Sequence, residues 1–165
     1  VKEIPEGGWL QWRFSPFAEG LLKALKGWFM IMPLVLLTSF LMNSLVGDQG
    51  GSNPLLELVL NSHDRLALGL LVLTTVVFAP LFEELIFRGV LLPVLAKRFG
   101  PFGGVIFSAF FFAIAHLSVG ELAPLFVLGI GLALLRLSSA RLLPCVLMHS
   151  FWNGVTFLSL LLLRV

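Results

Sequence analysis

Charge is scarce in this sequence. Asp, Glu, Lys and Arg make up 12% of its 165 residues, where a soluble domain carries about 25%. A soluble helical protein of this length could not bury the apolar surface of a chain that is 58% hydrophobic, with 16 Phe and 4 Trp. That excludes the soluble class and leaves an integral membrane protein. Cysteine is scarcer still: Cys145 stands alone, which excludes an internal disulfide framework. The formal charge of +2 is small, and the basic residues form no stripe, so nucleic acid is excluded as a partner. Internal repeats and low-complexity tracts are absent. So are H-E-x-x-H, the zincin motif, and G-x-S-x-G, the serine nucleophile elbow. The opening V-K-E-I-P-E-G-G-W-L has no apolar run beside a basic start and does not read as a signal peptide. Because the chain opens on Val1 rather than Met, a preceding segment is expected, and it can include further membrane helices.

What the sequence does have is a succession of apolar runs. Residues 1–22 read as a polar, aromatic lead. Trp9, Trp12, Phe14 and Phe17 suit either a headgroup layer or a loop packed on the helices. A membrane-embedded domain over 23–165 follows. Its first run extends from Gly27 to about Val46, close to the ~20 residues that cross a bilayer. Pro54 to Asn61 reads as a short amphipathic helix capped by Asn53. Residues 66–96 exceed one ordinary span, which predicts a long helix, tilted or broken near Pro80. Further helices are expected over 102–117, 122–137 and 142–163. The fold class is therefore all-α: a polytopic transmembrane bundle of about five membrane helices plus the short amphipathic one.

Charge sets an expected orientation. Assigning the chain start to the cytoplasm places Lys2, Arg13, Lys23, Lys26, Lys97, Arg98, Arg136 and Arg141 inside and Arg65 and Arg164 outside, in line with the positive-inside rule. A bacterial inner membrane is the expected location, with the endoplasmic reticulum or a plastid membrane as alternatives.

Against this background, F-E-E-L-I-F-R at 82–88 stands out. Glu84 and Arg88 are four apart, share a helix face and can pair. Glu83 lies about 100° round the helix and can point elsewhere. An interhelical ionic clamp needs one Glu and one Arg, so the second Glu is left for chemistry, and intramembrane ionisable groups are functional candidates. His116 closes F-A-I-A-H, with Phe112 four residues earlier; it reads either as a helix-end residue or as a site residue. His149 and Asn153, also four apart, read either as a hydrogen-bonded pair between helices or as part of a site. Taken together, Glu83, His116, His149 and Asn153 suit water activation at a carbonyl: a carboxylate base, imidazoles that move protons or bind a metal, and an amide donor to an oxyanion. Cys145 can face His149 but sits in a stretch that reads as packing. Thr74, Thr75, Ser108 and Ser150 are expected to bond backbone, Gly103, Gly104, Gly129 and Gly131 to allow close helix packing, and His63 to lie exposed in a loop. Counting from the loops puts Glu83 in the cytoplasmic half of the membrane and His116 in the outer half. Convergence then needs bends, expected at Pro80, Pro101 and Pro144, or boundaries shifted by a turn.

E-E-x-x-x-R at Glu83–Arg88, F-x-x-x-H at Phe112–His116 and H-x-x-x-N at His149–Asn153, in that order on separate apolar spans, resemble the CAAX-protease and bacteriocin-processing (abortive-infection) family, whose members include the type II CAAX prenyl endopeptidases. The likeness covers roughly 66–160, with residues 126–144 also similar to the family's helix and turn before its last histidine. It implies an intramembrane endopeptidase with a water-filled cavity. Glu83 would be the base and Glu84 the partner of Arg88. His116 and His149 would activate water or hold a metal, and Asn153 would stabilise the oxyanion. Glu83, His116 and His149 would be the ligands if zinc or another divalent ion is used; the preferred geometry is metal-independent, because Glu83 cannot easily serve as both ligand and base. The implied partners are a peptide or lipidated-protein substrate and membrane lipid. A prenyl group would need a lateral opening lined by residues such as Phe107, Phe110, Phe111 and Trp152. Two other readings stand beside it: a non-catalytic membrane scaffold or immunity factor on the same fold, and a transporter or proton-relay element, which would often show inverted repeats that this sequence lacks.

Overall fold

The structure, a computed structural model, describes residues 10–46 and 64–163. The expected helix at 54–61 and His63 lie outside the described residues. Those described are helical almost throughout: α1 (Phe17–Val46), α2 (Arg65–Val72), a π-helical turn (Leu73–Phe78), α3 (Ala79–Glu84), a second π-helical turn (Leu85–Leu91), α4 (Leu92–Ala115), α5 (Leu122–Ser139) and α6 (Leu143–Leu163). Four helical runs are long and apolar enough to cross a membrane: Phe17–Val46, the continuous run Arg65–Ala115, Leu122–Ser139 and Leu143–Leu162. Large apolar side chains point outward from them, including Met30 at 78%, Leu66 at 71% and Phe40 at 69% exposure. In water such a surface would drive association; in hydrocarbon it is the solvated face. This is an integral membrane protein.

The first helix begins at Phe17 rather than near Gly27, so residues 17–22 of the polar lead are helical. Glu19 pairs with Lys23 one turn on, and Gly20 and Ala24 are buried. Hydropathy marks where a helix enters hydrocarbon, and a helix can start before that point. The chain ahead of it is tied to the corner between α5 and α6. Arg141, buried at 4% exposure, donates through Nη2 to the carbonyls of Arg13, Phe14 and Pro16 at 3.1–3.2 Å, and Arg136 reaches the carbonyl of Leu10. These two arginines, read from sequence as loop charges, are buried clasps.

Asp64 caps the long run, its Oδ1 accepting from the N–H of Leu66 at 2.8 Å. The helix does not break at Pro80. It passes into α3 through the π-helical turn, where hydrogen bonds run from i+5. The expected stretches 66–96 and 102–117 form one helical run bent at Gly100, whose φ of 75° and ψ of 169° leave helical values; glycine adopts that φ without steric cost. Pro101 then restarts the helix. The two arms fold against each other closely enough that a Cβ on Gly104 would lie 2.8 Å from the Ala96 backbone. Ser108 Oγ donates to the Phe87 carbonyl across the hairpin, and the rings of Phe87 and Phe112 meet edge-on at 5.4 Å. The arm 101–115 packs in turn on α5, where Gly129 brings the backbone of Ala109 to 3.0 Å of its ideal Cβ position. Pro144 lies in the first turn of α6 and starts that helix rather than bending it. Ala24, Val35, Phe112, Leu128, Leu132, Cys145 and Met148 form the shared core.

Candidate active site

The hairpin at Gly100 sets the depth of the site. Glu83 lies 17 residues before Gly100 and His116 16 after it, so both sit about 24–26 Å from the bend at ~1.5 Å per residue. The depth mismatch expected from loop counting therefore disappears. Residues whose numbers sum to about 200 face each other: Ala96 with Gly104, Phe87 with Phe112, Glu83 with His116.

Within α3 the two glutamates diverge as the 100° helical step requires. Glu84 is fully buried. Its Oε1 accepts from Arg88 Nη1 at 3.1 Å and from His149 Nδ1 at 2.9 Å. Arg88, also fully buried, donates through Nη2 to the Gly129 carbonyl at 3.1 Å and lies over the Phe112 ring at 4.4 Å. A line of contacts thus runs from α5 through Arg88 and Glu84 to the inner face of His149.

Glu83 faces the other way. Its Oε2 is buried and has no protein hydrogen-bond partner. It stands 3.7 Å from His116 Nε2 and 3.8 Å from His149 Nε2, too far for direct hydrogen bonds and suited to a bridging water. His116 caps α4 and also stands beside Glu83. Its Nδ1 meets the Phe112 carbonyl at 2.8 Å. A carbonyl only accepts, so Nδ1 carries the hydrogen and the neutral ring presents a lone pair at Nε2. With His149 Nδ1 donating to Glu84, the neutral form of that ring likewise presents Nε2 as an acceptor. Three acceptor atoms therefore converge, and each imidazole is oriented from behind.

Asn153 does not pair with His149. Its Nδ2 donates to the Thr75 carbonyl at 2.9 Å. Glu83, His116, His149 and Asn153 line one cavity of about 470 Å³, together with Thr75, Ala79 and Trp152; Val35 and Ser39 of α1 also reach it, and exposed Glu121 lies at its lip. Of the four aromatics expected to border a lateral opening, Trp152 lines this cavity. Phe110 lines a separate apolar groove of about 270 Å³ with Met42 and Phe126, and Phe107 packs on Phe99. Cys145 Sγ points to the Leu132 carbonyl at 3.5 Å rather than to His149. Thr74, Thr75 and Ser108 bond backbone carbonyls.

Two imidazoles and a carboxylate have donor chemistry that zinc accepts, with the outer nitrogens hydrogen-bonded as in ligating histidines. Among the described residues, however, no group of three or more His, Cys, Asp or Glu side chains is arranged to hold a metal ion, so the arrangement does not fit one as it stands. What sequence reasoning missed is backbone: the carbonyls of Thr75 and Gly129, which hold Asn153 and Arg88. Pro80 is the signal in the sequence for the first; nothing in residue type marks the second.

The family model described as Rce1-like, type II CAAX prenyl endopeptidase Rce1-like, matches residues 65–155. Neither a curated protein nor a solved structure matches the chain.

Proposed function

For a chain that belongs to the type II CAAX prenyl endopeptidase Rce1-like family, we propose an intramembrane endopeptidase in which Glu83 activates water against a peptide carbonyl. The observation that carries this reading is the buried Glu83 Oε2, without a protein hydrogen-bond partner and 3.7 and 3.8 Å from the Nε2 atoms of His116 and His149 in one cavity. A water there donates one hydrogen to Glu83 Oε2 and the other to an imidazole Nε2, leaving an oxygen lone pair to attack. As the C–O bond forms, Glu83 takes the proton. It returns the proton to the amide nitrogen as the C–N bond breaks, releasing an amine and a carboxylic acid. The free N–H of the Asn153 amide donates to the oxyanion. Glu84 and Arg88 position His149. The substrates are peptide segments of membrane-associated or lipidated proteins, reached from within the bilayer. For orientation, the concentration of basic residues supports placing Lys97 and Arg98 on the cytoplasmic side.

The test is cleavage of a peptide library, including prenylated peptides, by purified protein in detergent. Glu83→Gln is expected to lower kcat by at least about 10²-fold with the fold intact. Wild-type cleavage is expected to persist in a chelator. Cleavage undiminished by Glu83→Gln overturns the assignment of the base, and loss of cleavage in chelator overturns the metal-independent route.

A further inference from the structure

The π-helical turn before α3 leaves one backbone group in an unusual position. The Ala79 N–H bonds to the Thr74 carbonyl, the i+5 register of a π-helix. In that register the donor for the next carbonyl, that of Thr75, is the N–H of residue 80. Residue 80 is proline and has none. In the α register the donor would be Ala79, which is already committed to Thr74. The Thr75 carbonyl is thus left open by the chain's own chemistry, next to a fully buried Pro80, and a part-buried carbonyl is costly to leave without a donor. Asn153, from another helix, supplies the donor at 2.9 Å.

The consequence reaches the site. A carbonyl accepts only, so the Asn153 amide can dock on it in one sense, nitrogen inward. This fixes both amide groups of a side chain that lines the cavity with Glu83 and His149. The Thr75 hydroxyl is not involved, because it donates to the Leu71 carbonyl at 2.7 Å. We propose that Pro80 is a positioning residue for Asn153, acting through the Thr75 carbonyl that its missing N–H leaves open. The effect on rate rests on the peptidase reading above; the juxtaposition does not. Restoring an N–H at position 80 supplies a local competitor for Thr75, and the Asn153 amide loses its anchor.

The experiment uses full-length protein labelled with ¹⁵N-asparagine in detergent micelles, with the Asn153 side-chain amide identified by its disappearance in Asn153→Asp. In wild type the amide hydrogen bonded to the Thr75 carbonyl is expected to exchange slowly; in Pro80→Ala the amide is expected to shift and that hydrogen to exchange quickly. In cleavage assays Pro80→Ala is expected to lower kcat by about 10²-fold with little change in KM. Pro80→Ala combined with Asn153→Ala is expected to be no slower than Asn153→Ala alone. A merely structural proline would add its own loss. Fast exchange of that hydrogen in wild type, or an amide unmoved by Pro80→Ala, overturns the proposal, and the first of these overturns it even where the variant does not fold. An amide released by Pro80→Ala without any cleavage activity to lose upholds the anchor and counts against the peptidase reading instead.

Discussion

Glu83 and Glu84 are chemically identical neighbours with opposite surroundings. Glu84 is enclosed by Arg88 and His149, and Glu83 opens on the cavity. Burying Glu84 and Arg88 is tolerable only because each meets the other's charge. Arg88→Met removes that match and also empties the bond to Gly129. It is expected to destabilise the protein by about 3–5 kcal/mol, read as a fall in the thermal unfolding midpoint in detergent. Replacing both partners with methionine is expected to recover part of the loss, since the orphaned charge is gone, though His149 Nδ1 then lacks its acceptor. An unchanged midpoint in Arg88→Met would show that the pair carries no stability. The Glu84–Arg88 pairing was legible in the sequence because i,i+4 spacing is a property of any α-helix. That His149 shares the same oxygen was not, because no spacing relates residues 65 apart.

At the scale of elements, two glycines do different work in the hairpin. Gly100 supplies a backbone conformation, and a Cβ there would meet nothing within 4 Å. Gly104 supplies close approach, and a Cβ there would meet Ala96 backbone atoms at 2.8 Å. Gly100→Ala is therefore expected to cost about 1–3 kcal/mol of stability with kcat nearly unchanged. Gly104→Leu is expected to part the arms, costing about 1–3 kcal/mol and separating Glu83 from His116, so that kcat falls as well. Thermal unfolding and peptide cleavage on the two variants check the contrast; equal effects on kcat would mean that hairpin closure does not position the pair. Gly103 and Gly104 read from sequence as packing sites, but where they pack depends on the bend. The π-helical turns were not legible, because apolar residues fit a turn of either kind and the choice lies in the backbone hydrogen-bond register.

At the scale of the whole molecule, the apolar faces turn outward and the polar cluster turns inward, the arrangement that a bilayer demands. The proposed orientation predicts that Lys97→Cys is labelled by a membrane-impermeant maleimide only when the cytoplasmic face is exposed. Cys145 is buried and does not compete for the reagent. Labelling from the opposite face in sealed cells or vesicles would reverse the assignment. The lead's carbonyls are gathered by Arg136 and Arg141 at the corner between α5 and α6, which ties the start of α1 to the start of the helix that bears His149 and Asn153. Sequence separation of more than a hundred residues hides such a clasp, and the same two residues also satisfy a simple count of loop charges.

By itself the sequence determined that the protein is a membrane-embedded helical bundle and which side chains share a helix face, because hydropathy and the 3.6-residue repeat are local properties. Three motifs in order also carried the family likeness. Only the tertiary structure decided that Glu83 and His116 lie at one depth, that Glu84 rather than Glu83 holds His149, and that Asn153 is docked on a carbonyl left open by Pro80. Those outcomes depend on a bend, on backbone register and on the close approach of helices, all set by packing between segments that no residue spacing along the chain encodes.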